Sequence, residues 1–194
     1  VSYIKMPAYQ DGHPGNSDPL DEQTGNVDLI NFLQQRPDWK ETAVIVTYDD
    51  SDGWYDHAYA TPTSASYDSS ADQVNGPGLC GTGAATQPQP KGLNGTPVNG
   101  RCGPGTRVPF IVISPYAKQN YVSHTPISQA SVVRFIEDNW LRGQRLGGGS
   151  FDASAGSIMD LFDFDHHHDD EANKLFLDPT AGTVIVSVPE GHHH

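Results

Sequence analysis

The apolar run Ala43-Val44-Ile45-Val46 passes through Thr47-Tyr48 and stops at two adjacent carboxylates, Asp49 and Asp50. A short, mostly β-branched run of this kind suits a strand buried on both faces of a parallel sheet better than one alternating between core and water. It therefore points to an α/β architecture. In open α/β sheets, ligands collect just beyond the carboxyl ends of such strands, and Asp49 and Asp50 stand at that end. Successive strand residues project to opposite faces. Both carboxylates can thus serve one ion only if the backbone turns there, and Ser51-Asp52-Gly53 supplies turn chemistry. Two readings follow from the residues alone: an ordinary polar turn, or a pair of oxygen ligands for a divalent cation acting as a Lewis acid.

A calcium loop of the EF-hand type is a third reading, because Asp50-Ser51-Asp52-Gly53 echoes part of that pattern. It fails at both ends. The first ligand position would be Tyr48 and the closing glutamate position Tyr59, and neither supplies the required carboxylate.

Around this strand the chain reads as one α/β unit interrupted by a long loop. Asp18-Pro19 has the form of a helix cap followed by proline at the first helical position, and Asp21 and Glu22 suit the positive end of the dipole. Leu20, Val27, Ile30 and Leu33 continue with roughly helical spacing to Arg36-Pro37, while Gly25 weakens the helix and leaves a later start open. A strand over 42–48 follows. Residues 51–106 are rich in Gly, Pro, Ser and Asn and read as a loop insertion beside the site. A second buried strand is expected over Val108–Ser114. Thr125-Pro126 then opens a helix whose Ile127, Ala130, Val133 and Ile136, with Val132, Phe135 and Trp140, form a buried scaffold face. Residues 174–179 and 183–188 read as short extended segments.

Composition narrows the partners. A formal net charge of −13 over 194 residues speaks against a nucleic-acid backbone, whose binding draws on clustered Lys and Arg. Phosphate esters stay admissible, since a bound cation inverts the local field. No apolar stretch approaches the roughly 20 residues of a membrane span, so no integral membrane segment is expected. Cys80 and Cys102, with 21 residues between them in a Gly- and Pro-rich segment, read as a disulfide pinning the loop, with two free thiols of a cytosolic protein as the alternative. Closure of the disulfide would contribute about 3 kcal/mol and indicates a periplasmic or secreted protein. The start at Val1, without an initiator Met, suggests that something upstream has been removed. Gly191-His192-His193-His194 has the form of a tag remnant, which leaves 1–190 as the unit to interpret.

Taken together, Ala8-Tyr9-Gln10-Asp11-Gly12-His13, Tyr48 through His57, Arg107-Val108-Pro109-Phe110-Ile111-Val112-Ile113-Ser114-Pro115-Tyr116-Ala117-Lys118 and Ser131 through Trp140 resemble the bacterial phosphoesterase family of phospholipases C and AcpA-type acid phosphatases. The resemblance runs from Val1 to about Val184. It implies an alkaline-phosphatase-like layered fold with a mainly parallel sheet, of which 1–190 would form the C-terminal part of a single domain. It also implies metal-dependent hydrolysis of phosphate esters, phospholipids among them. Asp49 and Asp50 match the family's paired metal ligands, and His13 matches a histidine that lies against the phosphate. The cation would be Ca, Zn, Mg or Mn. The serine or threonine nucleophile and a further Glu-Asn ligand pair find no match here, so an N-terminal half is the expected partner.

The other candidates are weaker. His57 and His124 read either as supports of the metal loop or as structural residues. His166-His167-His168 with Asp169 and Asp170 reads as a solvated loop rather than a metal tract, and Asp52 and Asp56 as turn-fixing groups. Arg107 reads as structural, because it stands at the amino end of its strand. Two alternatives to the phosphoesterase reading remain: a sulfatase or phosphodiesterase of the same superfamily, and a non-catalytic metal-binding or interaction fragment.

Overall fold

Asp18 caps the first helix, α1 (Pro19–Gln34), as its sequence implies: its Oδ1 accepts from the backbone N–H of Leu20 at 2.8 Å and of Asp21 at 2.9 Å. That satisfies donors which the first turn otherwise leaves open. The helix starts at Pro19 in spite of Gly25. Gly25 is buried with the carboxamide of Gln10 lying over it, and an added Cβ would stand only 3.1 Å from that side chain. Glycine is therefore present for close packing, and the propensity lost at one position is small beside it.

The computed structural model describes residues 1–51, 54–60, 105–148, 150–165 and 174–185. Cys80 and Cys102 lie outside them, so the expected disulfide has no support from the structure. Most of the expected 51–106 insertion, Asp52, the His166–His168 run and the last nine residues also lie outside. The described residues fall into two compact units. One is drawn from Val1–Val46, Ile111–Ala117 and Asp163–His194, the other from Thr47–Phe110 and Lys118–Phe162.

The strands are β1 (Val44–Thr47) and β2 (Phe110–Ile113), each shorter than expected. Among the described residues they form a two-stranded sheet. The Thr47 hydroxyl donates to the Pro109 carbonyl and the Ser114 hydroxyl to the Thr42 carbonyl, so the numbering runs in opposite senses and the pair is antiparallel. This departs from the mainly parallel sheet expected from the apolar run. Such a run reports burial but not the direction of the neighbour, and here burial is partial: Val44, Ile45 and Val46 are half-buried and Ile111 is 52% exposed.

Among the described residues of the first unit, Trp39 is the buried hydrophobic, and Gln34 of α1 is fully buried as well. The carboxamides of α1 hold residues 175–180 as a neighbouring strand would. Gln34 donates to the Leu175 carbonyl at 2.9 Å and accepts from its N–H at 2.8 Å, and Asn31 makes the same pair of bonds with Leu177. Gln23 and Thr24 reach the carbonyls of Pro179 and Thr180. The segment then turns around Asp178, whose Oδ1 accepts from Thr180 and Ala181 N–H, and returns in an antiparallel bridge between Leu177 and Val184.

In the second unit the core is Ala155, Ile158 and Phe162. Phe162 stacks on Phe135 of helix α2 (Ala130–Trp140) at 5.4 Å between ring centroids. Two expectations for this helix are corrected. It starts at Ala130 rather than at Thr125-Pro126, because the Thr125 hydroxyl bonds Asp160 and the Ser128 N–H bonds the Ser131 hydroxyl. Its buried positions are Ser131 and Glu137, whereas Trp140 is 62% exposed. Glu137 tolerates burial because Arg145 pairs with it at 3.1 Å.

Candidate functional site

β1 is followed by a bend at residues 49–50, after which the Trp54 N–H donates to the Ser51 carbonyl at 2.7 Å. Asp49 and Asp50 are exposed on it, between the half-buried Tyr48 and Ser51. The side-chain nitrogen of Gln129, immediately ahead of α2, donates to the Tyr48 carbonyl at 2.8 Å and to the Asp49 carbonyl at 2.6 Å. Sequence reasoning passed over this glutamine, since a polar residue before a helix carries no mark of a partner 80 positions away.

Farther along the same turn, Asp56 fixes the loop. Its carboxylate accepts from the Ala58 N–H at 2.6 Å and takes the Arg107 guanidinium bidentately at 2.9 and 3.2 Å. The Ala58 N–H, and then Arg107, hold its carboxyl below the usual range. Arg107 thus ties the loop, as read from its place at the strand's amino end. His57 is exposed beside it.

His124 is also exposed, between two residues whose hydroxyls are committed elsewhere. Ser123 and Thr125 both donate to Oδ2 of Asp160, at 2.5 and 3.2 Å, and Tyr121 adds a third hydroxyl at 3.3 Å. The Ser123 bond leads in lowering the Asp160 carboxyl, against the opposing effect of burial. The sequence reading missed Asp160, because no local pattern links it to a loop more than thirty residues earlier.

His13 belongs to the first unit, whereas Asp49, Asp50, His57 and His124 belong to the second. It sits in a compact turn. Its N–H donates to Asp11 Oδ1 at 3.0 Å, its carbonyl accepts from Asn16 and Ser17, and Gly12 ahead of it adopts φ +75°, which favours glycine. The His13 N–H is the leading cause that lowers the Asp11 carboxyl. Nδ1 of the exposed ring stands 2.7 Å from the Pro14 carbonyl. A carbonyl only accepts, so Nδ1 carries the proton in this contact and Nε2 is left facing away from it.

The chemistry of the donors at 49 and 50 fits a hard or borderline cation: two carboxylates at a turn whose carbonyls are already engaged. Two carboxylates by themselves do not complete a ligand set. No group of three or more His, Cys, Asp or Glu side chains gathers around a common point among the described residues.

A match to the phosphoesterase family covers residues 1–141, which include the His13 turn, both strands, the carboxylate pair and α2. The chain belongs to the phosphoesterase family. It is 32% identical over 141 residues to the non-hemolytic phospholipase C of Pseudomonas aeruginosa, covering 72% of this chain and 20% of that protein. It is 32% identical over 140 residues to phospholipase C B of Mycobacterium tuberculosis, covering 71% and 24%. Its likeness to the non-specific phospholipase C1 of Arabidopsis thaliana is 30% over 116 residues, covering 60% and 18%. The chain therefore spans about a quarter or less of the length of these curated relatives. No helix among the described residues is long and apolar enough to cross a membrane.

Proposed function

We propose that this phosphoesterase-family chain contributes the carboxylate part of a metal-dependent phosphate-ester hydrolase of the phospholipase C or acid phosphatase type. The observation that carries the reading is the Asp49-Asp50 pair, exposed on a pinned turn at the end of β1, in a chain of this family. Asp49 and Asp50 would hold Ca, Zn, Mg or Mn, together with ligands from outside the described residues. A divalent cation held there supplies Lewis-acid polarisation of a phosphoryl oxygen and lowers the pKa of an attacking hydroxyl.

The chain's own residues divide the remaining work. The two carboxylates provide hard oxygen donors and fixed negative charge. Asp56 is engaged by Arg107 and by the Ala58 N–H, contacts that do not depend on substrate. By the family resemblance, His13 would donate a hydrogen bond or positive charge to phosphate oxygens, where it stabilises developing negative charge. The attacking serine or threonine comes from outside these 194 residues. Substrates of the phospholipase C type are favoured by the chain's likeness to phospholipases C. A periplasmic or secreted location belongs to the same proposal.

The test is cation content by elemental analysis, with turnover of phosphatidylcholine and of a phosphomonoester, for the complete protein and its variants. Asp49→Asn and Asp50→Asn should each lose the cation and roughly 100-fold or more in turnover, the scale of losing a group that stabilises developing charge. His13→Ala should lose turnover on that scale while keeping its cation. Unchanged metal content and turnover in both aspartate variants would remove the reading. Release of diacylglycerol, rather than inorganic phosphate from the monoester, would select the phospholipase C type.

A further inference from the structure

We infer that Gln129 is the positioning residue for the Asp49-Asp50 pair, an inference that rests on reading that pair as the cation site. A carboxamide NH2 carries two protons, and both of Gln129's are directed at consecutive backbone carbonyls, Tyr48 at 2.8 Å and Asp49 at 2.6 Å. In an extended strand consecutive carbonyls point to opposite sides, so one nitrogen cannot reach both. The double contact therefore defines where the chain leaves strand geometry, one residue after β1 ends at Thr47.

That departure is the condition adjacent carboxylates must meet to serve one ion. While the backbone stays extended, Asp49 and Asp50 project to opposite faces. Once it turns at Asp49, the alternation no longer applies. Gln129 holds this turn from a rigid base. Its own backbone is helical at φ −57°, ψ −31°, α2 begins at the next residue, and its side chain makes no capping bond to the helix. The Ser131 hydroxyl, which accepts from the Ser128 N–H, anchors the start of α2 without it. The amide is thus committed to the turn rather than to the helix that carries it, and losing it should disturb ligand geometry more than helix stability.

The full chain can be titrated with Tb3+, an oxygen-seeking probe whose luminescence is sensitised by aromatic residues such as Tyr48 and Trp54 in this turn. Luminescence lifetimes in H2O and D2O count the waters left on the ion. Gln129→Met keeps the side-chain length and removes both donors. The expected result is Tb3+ binding weaker by about 10- to 100-fold, the range for groups that orient metal ligands, with more waters on the ion and an unchanged thermal midpoint. Gln129→Glu, which sets a carboxylate against the two carbonyls, should lose at least as much.

Wild-type affinity and hydration in Gln129→Met, alongside lost binding in Asp50→Asn, would overturn the role of Gln129 and leave the cation site standing. Weakened binding that only tracks a rise in unfolded protein would overturn it as well. Tb3+ binding that is equal in wild type, Asp49→Asn and Asp50→Asn would remove the cation site and the role of Gln129 together.

Discussion

Asp160 shows how one carboxylate can organise a loop. Three hydroxyls, from Ser123, Thr125 and Tyr121, converge on its Oδ2. The Ser123 bond, ahead of the contributions of Thr125 and Tyr121, holds the Asp160 carboxyl below the ordinary carboxylate range in spite of burial. A carboxyl whose folded pKa is depressed contributes stability that is present above its unfolded value, roughly 3.9, and is lost as pH falls through the folded value. Asp160→Asn should therefore cost about 1.5–3 kcal/mol at pH 7, the range for hydrogen bonds to a charged group. It should also flatten the loss of stability below about pH 5. Urea melts of both proteins at stepped pH measure the two effects, and parallel curves would count against the assignment. Tyr121 moves the other way: burial first, and then the charge of Asp160, push its phenol up.

At the scale of elements, α1 does the work of a sheet neighbour for the segment beyond residue 174. Gln34 is fully buried and satisfies both the N–H and the carbonyl of Leu175. Replacing it with leucine preserves bulk but strands two backbone groups. The expected loss is roughly 2–6 kcal/mol, one desolvation penalty for each orphaned group. Denaturant unfolding of Gln34→Leu would measure it, with amide exchange at Leu175 reporting whether the segment detaches. The two helices differ in how openly they are written. The Asp18-Pro19 cap and the acidic first turn lie within four residues, and α1 starts where they indicate. Thr125-Pro126 imitates the same signal, yet the Thr125 hydroxyl is taken by Asp160 and α2 begins at Ala130. A local pattern misleads where a distant partner claims the capping atom.

At the scale of the whole molecule, the described residues enclose a thin apolar interior. Among the described residues Trp39, Ala155, Ile158 and Phe162 are the buried hydrophobics, while Leu20, Phe32, Ile111 and Trp140 of the helices and β2, and Leu141 just after α2, are more than half exposed. The chain covers 18–24% of the length of the relatives described above. Since the denaturant dependence of unfolding scales with the surface exposed, this chain by itself should unfold in urea with a slope below roughly 2 kcal/mol/M, shallow for its length. A steep, single transition would show that it buries far more than these residues do.

The residues alone determined the apolar strand, the turn of carboxylates behind it, the cap of α1 and the histidine turn at Gly12-His13. The family motifs, legible without coordinates, are built from these short stretches. Each is written within a few neighbouring positions, where backbone preference and spacing decide the outcome. Tertiary structure decided the antiparallel sense of β1 and β2, the late start of α2, the hydroxyls around Asp160 and the hold of Gln129 on the turn at Asp49. Those contacts join residues from 35 to 81 positions apart. Their partners are selected by how whole elements pack, which no short window of sequence encodes.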